Sequence, residues 1–368
     1  MAINTPFIPP KLPPKLDYLP LIGRLTKVHA ALARLDATLE RLPNPMILER
    51  SFTTQEAVKS SQIEGTQATL EEVLGYEAEE GGAKMGENKR GDIQEVINYR
   101  KALEYGIKHI DDGNAITENF VKGIHEILLQ SARGKNKAPG QFRTSQVYIG
   151  PAGAPIDKAT YVPPPANEVQ PLFTNLENYL NTQLETDPLV QIGVAHYQFE
   201  AIHPFFDGNG RVGRLIIILF LYKQGLLKKP WLYLSEYLEE HREDYYALLL
   251  AVSEKDAWNE WLQFFLQAIE GQAGETCKTV EEILGLHNEV KQQALAMHSQ
   301  YAPSVVEAIF TNPIFNRRTL QVLSGIENYQ TTSTLVQKFL DAGIIVDARP
   351  ERKRNKIYAF PALIKLIG

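Results

Sequence analysis

The chain has 368 residues, 44% of them hydrophobic and 22% charged, an ordinary globular composition that excludes wholesale disorder. No apolar run exceeds eight residues, against about 20 for a bilayer span, and a single cysteine, Cys277, excludes an intramolecular disulfide or a cysteine-rich zinc site. Net charge is −6, and at roughly 150 residues per domain the length predicts two or three domains of a cytoplasmic enzyme or regulator.

Residues 1–20 hold six prolines and no apolar core of the kind a secretory leader needs, and read as an extended arm laid on a surface. From Leu21 to Glu49, Leu25, Val28, Leu32, Leu35, Leu39 and Leu42 recur at three- and four-residue steps, which predicts an amphipathic helix stopped near Pro43. A second helix fits Thr53 to Glu64, closed by Gly65, and a third starts at Thr69, which forms a capping box with Glu72. Glu79 to Asp92, glycine-rich and charged, predicts a mobile connection. Helices follow at about 92–109 and 117–131. Gly140 to Pro165 changes character: Val147-Tyr148-Ile149 and Tyr161-Val162, set between Gly and Pro, predict a hairpin.

Helices then fit about 168–183, 187–202 (opened by Asp187-Pro188), 209–224, 235–253 and 258–270. Beyond Pro303, Val305–Phe310, Arg318–Leu323 and Thr331–Leu340 predict short helices, and Ile344–Val346 and Ile357–Phe360 predict strands around a basic turn. Three helices and a two-stranded hairpin spell a winged helix. Residues 301–368 carry nine Lys/Arg against five Asp/Glu, while the rest carries 29 against 39. A basic module on an acidic body fits DNA binding through Arg349, Arg352, Lys353, Arg354 and Lys356, or a protein-contact or dimerisation role.

The segment His203-Pro-Phe-Phe-Asp-Gly-Asn-Gly-Arg-Val-Gly-Arg214 carries chemistry. Gly208-Asn209-Gly210 lets successive N–H groups face one concavity at a helix start, a geometry that binds phosphates. Arg211 and Arg214, three apart on the first turn with Val212 and Gly213 between them, can face one anion. Asp207 is a hard oxygen ligand suited to Mg²⁺ bridging phosphates, and a neutral His203 can take a proton from an attacking hydroxyl. His196 reads as a packed core residue rather than part of an iron site with His203 and Asp207.

This segment resembles the Fic signature HPFxxGNGRxxR at every specified position, and the resemblance covers about residues 15–270. It implies a mainly α fold with a β-hairpin flap, and transfer of AMP from ATP to a Ser, Thr or Tyr hydroxyl of a protein, of another chain or of this one. His203 would be the general base, Asp207 the Mg²⁺ ligand, Gly208 to Gly210 the anion hole, and Arg211 and Arg214 the holders of the β- and γ-phosphates. Phe205 would anchor the loop in the core. Val147, Tyr148, Ile149 and Gly150 would form the flap and Tyr245-Tyr246 the adenine side; Gly140-Gln-Phe-Arg143 looks like the family's approach to the flap. Ser60-Ser-Gln-Ile-Glu64-Gly65 resembles the (S/T)xxxE(G/N) motif by which some members inhibit themselves, with Glu64 pairing with Arg214.

The expected domains are therefore 1–105, helical with the inhibitory motif; 106–270, the Fic core; 271–300, a helical connection; and 301–368, the winged helix. The partners expected are ATP, a protein target and no membrane, with DNA and a second copy of the chain left open. Removal of AMP, transfer of another nucleotide or phosphate, and a DNA-binding regulator that senses nucleotide remain as alternatives.

Overall fold

The computed structural model describes residues 5–42, 46–79, 86–131, 134, 136–151 and 155–368. The chain folds as two compact units, each assembled from separated segments. Met1–Ala33, Lys59–Thr66 and Asn98–Ala273 form the first; Arg34–Val58, Gln67–Ile97 and Gly274–Gly368 form the second. The long helices are α1 (Ile22–Leu39), α2 (Met46–Ile63), α4 (Glu87–Asp111) and α11 (Trp258–Leu295), with α3 (Leu70–Ala78) short. Between them come α5 (Glu118–Leu128), α6 (Ala166–Asn181), α7 (Pro188–Ile202), α8 (Asn209–Lys223), α9 (Ser235–Glu240) and α10 (Arg242–Lys255).

The first unit is built around α7. Asp187 caps it by accepting the Leu189 N–H at 2.9 Å, and Pro188 occupies the first helical turn. Only Pro188 and Glu200 of its residues escape full burial, because α6, α8 and α10 pack on it. Several of its polar groups are bonded: Gln191 donates to the Tyr179 and Thr182 carbonyls, and Gln198 to the Pro10 carbonyl of the N-terminal arm. The arm adds Phe7 N–H to the Val162 carbonyl, so the prolines do lie along a surface. α8 is buried from Arg211 to Leu221, and together with α7 it forms the rigid base of the HPF loop.

In the second unit, α12 (Ala302–Thr311), β1 (Ile314–Asn316), α13 (Arg317–Ser324), α14 (Tyr329–Asp341), β2 (Val346–Asp347), β3 (Ile357–Ala359) and α15 (Pro361–Ile367) follow in order. The antiparallel sheet runs β1-β3-β2, with Phe315 opposite Tyr358 and Val346 opposite Ala359. Helix, strand, two helices joined by a turn, and two strands enclosing a wing follow in the order expected of a winged helix. α3 packs on β1, and its start carries the capping box predicted at Thr69 and Glu72.

Several elements differ from expectation. α2 starts at Met46, not Thr53, and α4 starts at Glu87, inside the stretch predicted to be mobile; residues 80–85 of that stretch lie outside the described residues. The 235–253 helix breaks at His241 into α9 and α10. The helix predicted to stop at 270 runs to Leu295, and Cys277 is buried within it. No proline interrupts that stretch, and buried Val280, Ile283, Val290 and Ala294 outweigh the roughly 1 kcal/mol each that Gly271, Gly274 and Gly285 cost in a helix. Among the described residues the hairpin of 140–165 closes through one bridge, Ile149 to Tyr161, because the surrounding prolines cannot donate to a longer ladder. β1 and α15 are too short to show a period in the sequence.

Close packing of α7 makes a stability test. A Cβ on Gly193 would lie 2.8 Å from Leu262 Cδ2 and 2.9 Å from Phe265 Cδ1, both fully buried, while the Gly193 carbonyl accepts from Trp261 Nε1 at 2.9 Å. Gly193→Ala gains helix propensity, yet overpacking costs about 1–3 kcal/mol. Thermal unfolding should show a lowered Tm; a raised Tm would mean that these neighbours yield freely.

Candidate active site

The HPF loop begins where α7 must stop. His203 adopts the left-handed conformation (φ 49°, ψ 62°), uncommon for a non-glycine residue, and Pro204 follows it. What holds it there is Arg143, 2% exposed, whose guanidinium donates to the carbonyls of His203 (2.9 Å), Ile202 (3.3 Å), Pro164 (2.5 Å) and Ser145 (3.2 Å). Burial pushes the Arg143 pKa down to about 10, so it stays charged at neutral pH. The next residues close on themselves. Asn209 Oδ1 accepts from the Phe205 N–H and its Nδ2 donates to the Phe205 carbonyl, both at 2.9 Å. Phe205, fully buried, stacks at 3.7 Å on His125, which also bonds the Asp207 carbonyl through Nε2 and accepts from the Gly140 N–H at Nδ1. His125 is therefore a neutral linker between α5 and the loop; burial pushes its pKa down to about 4.

Gly208 takes the left-handed turn (φ 79°) that opens α8. Asp207 is 43% exposed at its side chain, with Arg211 Nη2 3.4 Å away. Val212 is core, and Gly213 leaves room for the Glu200 carboxyl, which lies where a Cβ on that residue would intrude.

Arg214 points the other way. Its side chain is 2% exposed and all its described bonds go to the C-terminal end of α2: Nε to Ser60 Oγ, Nη2 to the Ser60 carbonyl, and Nη2 to Glu64 Oε1, each 2.8 Å. Glu64 sits in the turn just past α2, one-third exposed, and its Oε1 takes the place that a Cβ on Gly210 would need. Glycine there lets a carboxylate settle against the first turn of α8, the place where an anion is favoured. Partial burial opposes the charge of Glu64, but Arg214 outweighs it and holds the carboxyl below its usual range.

These groups line a cavity of about 580 Å³, enough for a nucleotide. Glu64, His203, Gly210 and Arg214 form one wall and Tyr245, Tyr246, Leu249 and Leu250 another; Tyr148, Ile149 and Gly150 border the mouth. Ser60, Val147, Asp207, Gly208, Asn209, Arg211, Val212 and Gly213 do not line it directly. Tyr246 is 43% exposed with Arg242 5.7 Å from its ring centre, whereas Tyr245 is buried and shares a 2.7 Å hydrogen bond with His196. His196 is 1% exposed, packed among aromatic rings, and burial pushes its pKa down to about 3. His203 is also held neutral: desolvation pushes it down to about 4 although Glu64 pulls it up. Among the described residues no group of three or more His, Cys, Asp or Glu forms a metal cage.

Two participants go beyond the sequence reading. Arg143 stands there only as part of the approach to the flap. Glu200, the one acid in the apolar run of α7, lines the cavity three residues before His203, with its buried Oε1 unpartnered and its pKa pushed up to about 8 by desolvation. That lone charge in an apolar helix is the available signal.

The family profile described as Fic/DOC family N-terminal matches residues 22–108, and that of the Fic/DOC family matches residues 115–221. The chain belongs to the Fic/DOC family. A probable protein adenylyltransferase of Aquifex aeolicus is 30% identical over 193 residues, 52% of this chain and 55% of that protein. Protein adenylyltransferase Fic of Culex quinquefasciatus is 27% identical over 238 residues, 63% of this chain and 41% of that protein. The chain thus spans about half the length of these relatives. Among solved structures, a Fic family protein from Desulfovibrio desulfuricans superposes with a TM-score of 0.61 at 24% identity, covering 95% of this chain and 98% of the other. Fic-1 of C. elegans superposes at 0.53 with 21% identity over 72% of this chain and 75% of the other. These two likenesses bear on the fold.

Buried histidines make the Fic core acid-sensitive. His125 and His196 stay neutral in the fold but take up protons near pH 6.5 when unfolded, so stability falls as pH drops below that value. Between about pH 4.5 and 6.5, His203 adds a third such proton, and Glu200, protonated only in the fold, offsets it. Roughly two net protons give a slope on the order of 2–3 kcal/mol per pH unit near pH 5.5. Urea unfolding at pH 7, 6 and 5 should show the loss, and His125→Gln should halve the slope. A flat profile would mean these imidazoles titrate normally.

Proposed function

We propose that the chain transfers AMP from ATP to a hydroxyl of a protein, and that Glu64 holds the activity down by occupying Arg214. The observation that carries this is the Glu64–Arg214–Ser60 cluster at the wall of the same cavity that His203 lines. The adenylyltransferase names of the matched relatives support the reaction class.

In this reading the nucleotide lies along the cavity, with its base on the Tyr246, Leu249 and Leu250 side and its triphosphate at the α8 start. Tyr245 acts from behind, fixing the wall through His196. Backbone N–H groups of Gly208 to Gly210 and Arg211 take the phosphates nearer the α-position, and Arg214 is the cation for the γ-phosphate. The target hydroxyl oxygen attacks the α-phosphorus, the bond from α-phosphorus to the bridging oxygen breaks, and pyrophosphate leaves. The hydroxyl proton passes to the His203 imidazole, neutral and ready at pH 7. Arg143 sets the ring by fixing the backbone on which it rides.

One half-exposed carboxylate, Asp207, without a cage suits Mg²⁺ held jointly by protein and phosphates. When bound, that ion would neutralise phosphate charge. The target is set by adding a strand along Val147–Gly150, on the side away from Tyr161. Inhibition follows from charge and place: while Glu64 neutralises Arg214 and lies against Gly210, the γ-phosphate has neither its cation nor its space.

With ATP labelled at the α-phosphate, Glu64→Gly should raise label transfer to itself or to lysate proteins by tenfold or more. Unchanged transfer would remove the inhibitory role. In that background His203→Ala should lower transfer by about 10²–10⁴-fold while ATP still binds, since only proton removal is lost. Transfer that survives would show that another group takes the proton.

A further inference from the structure

A second cavity, about 710 Å³, lies in the winged-helix unit. Arg317, Arg318, Arg352, Lys353, Arg354 and Lys356 line it, from the start of α13 and from the wing between β2 and β3. Tyr329, the first residue of α14, completes the wall. The cavity already holds one carboxylate. Glu79, just past the end of α3 and 4% exposed at its side chain, accepts from Arg352 Nη2 at 3.0 Å and lies 3.5 Å from Arg349 Nε. Asn316 Nδ2 donates to the Ala78 carbonyl at 2.9 Å and pins this end of α3 to β1.

We propose that this cleft binds the phosphate backbone of double-stranded DNA, and that Glu79 is a built-in competitor for the wing arginines. Part of the cleft's positive charge is matched from within and part is not. Asp347 takes Lys356 at 2.6 Å and Glu79 takes Arg349 and Arg352. Among the described residues, Arg318, Lys353 and Arg354 have no acid within ion-pair distance, although they share one concavity.

Shape selects the duplex. Gly325 (φ 67°) turns the chain between α13 and α14, and Asn328 Oδ1 caps α14 by accepting from Gln330 and Thr331 N–H, which makes a helix-turn-helix beside the wing. The first turn of α14 has no acid, and its exposed Gln330, Thr334 and Gln337 carry uncharged donors and acceptors of the kind that read base edges. α14 in the major groove, with Arg318 and the wing on flanking phosphates, is the docking that this layout allows. A protein partner would favour exposed Val322 and Leu323 of α13, which lie outside the cleft. This inference is independent of the AMP-transfer reading.

The test is fluorescence anisotropy of the full chain with a labelled mixed-sequence duplex of about 26 bp, long enough for two to three helical turns, at roughly 50–300 mM KCl. Binding should weaken steeply with salt. Arg318→Ala/Lys353→Ala/Arg354→Ala should weaken it tenfold or more at the lowest salt. The triple substitution should also make the slope of log K against log salt shallower by about 2–3, near 0.9 for each phosphate no longer neutralised. Glu79→Gln should tighten binding at least threefold by releasing Arg349 and Arg352. Melting curves confirm that each variant folds, and the triple variant tests the cleft without touching Glu79. No binding at the lowest salt by either wild type or Glu79→Gln would overturn the proposal, as would binding indifferent to the triple substitution. Competition by polyglutamate as strong as by unlabelled duplex would also overturn it, assigning the cleft to an acidic polypeptide.

Discussion

A guanidinium that is almost wholly out of water must be matched by oxygen atoms, and Arg214 is such a group: 2% exposed and bonded three times to Ser60 and Glu64. Much of the first unit is arranged around that requirement. Lys59–Thr66 belongs to the same compact unit as α7 and α8, although the segments on either side of it, Arg34–Val58 and Gln67–Ile97, do not. Gly210 has no side chain where Glu64 settles, and Gly213 has none where Glu200 sits. The start of α8 favours an anion, and in the proposed function a carboxylate and a phosphate are alternative ways to supply it.

The same economy of buried charge explains the rest of the site. His203, His125 and His196 are kept neutral by the loss of water around them, and Glu200 is pushed toward its protonated form. Neutral groups can be packed tightly; the cation that holds the loop's backbone, Arg143, is spread over four carbonyl oxygens. The result is a loop whose strained residue, His203, is also the one to which the proposed function gives the proton.

Much of this is legible in the residues. The GNGR turn, the Arg211–Arg214 spacing and the Ser60–Glu64 pair are local patterns that helix periodicity makes readable; of these residues Glu64, Gly210 and Arg214 line the cavity and Arg211 does not. Asp187-Pro188 and Thr69–Glu72 mark helix starts for the same reason. What sequence cannot supply is proximity over distance. His125 reaches Asp207 across 82 residues, and Arg143 reaches the His203 carbonyl across 60. Helix ends set by packing escape it too: α11 runs through three glycines, and α4 starts in a stretch that composition marks as mobile. Net charge points to the C-terminal unit, whereas the buried arginine of the first site, Arg214, lies in the acidic part of the chain.

The central claim is that Glu64 and the γ-phosphate compete for Arg214. Calorimetric titration of wild type and Glu64→Gly with ATP and with ADP isolates that competition, because only ATP carries the γ-phosphate. The account predicts nearly equal affinities for the two nucleotides in wild type, and ATP bound at least tenfold tighter than ADP once Glu64 is removed. The same ATP-to-ADP ratio in both proteins would contradict it.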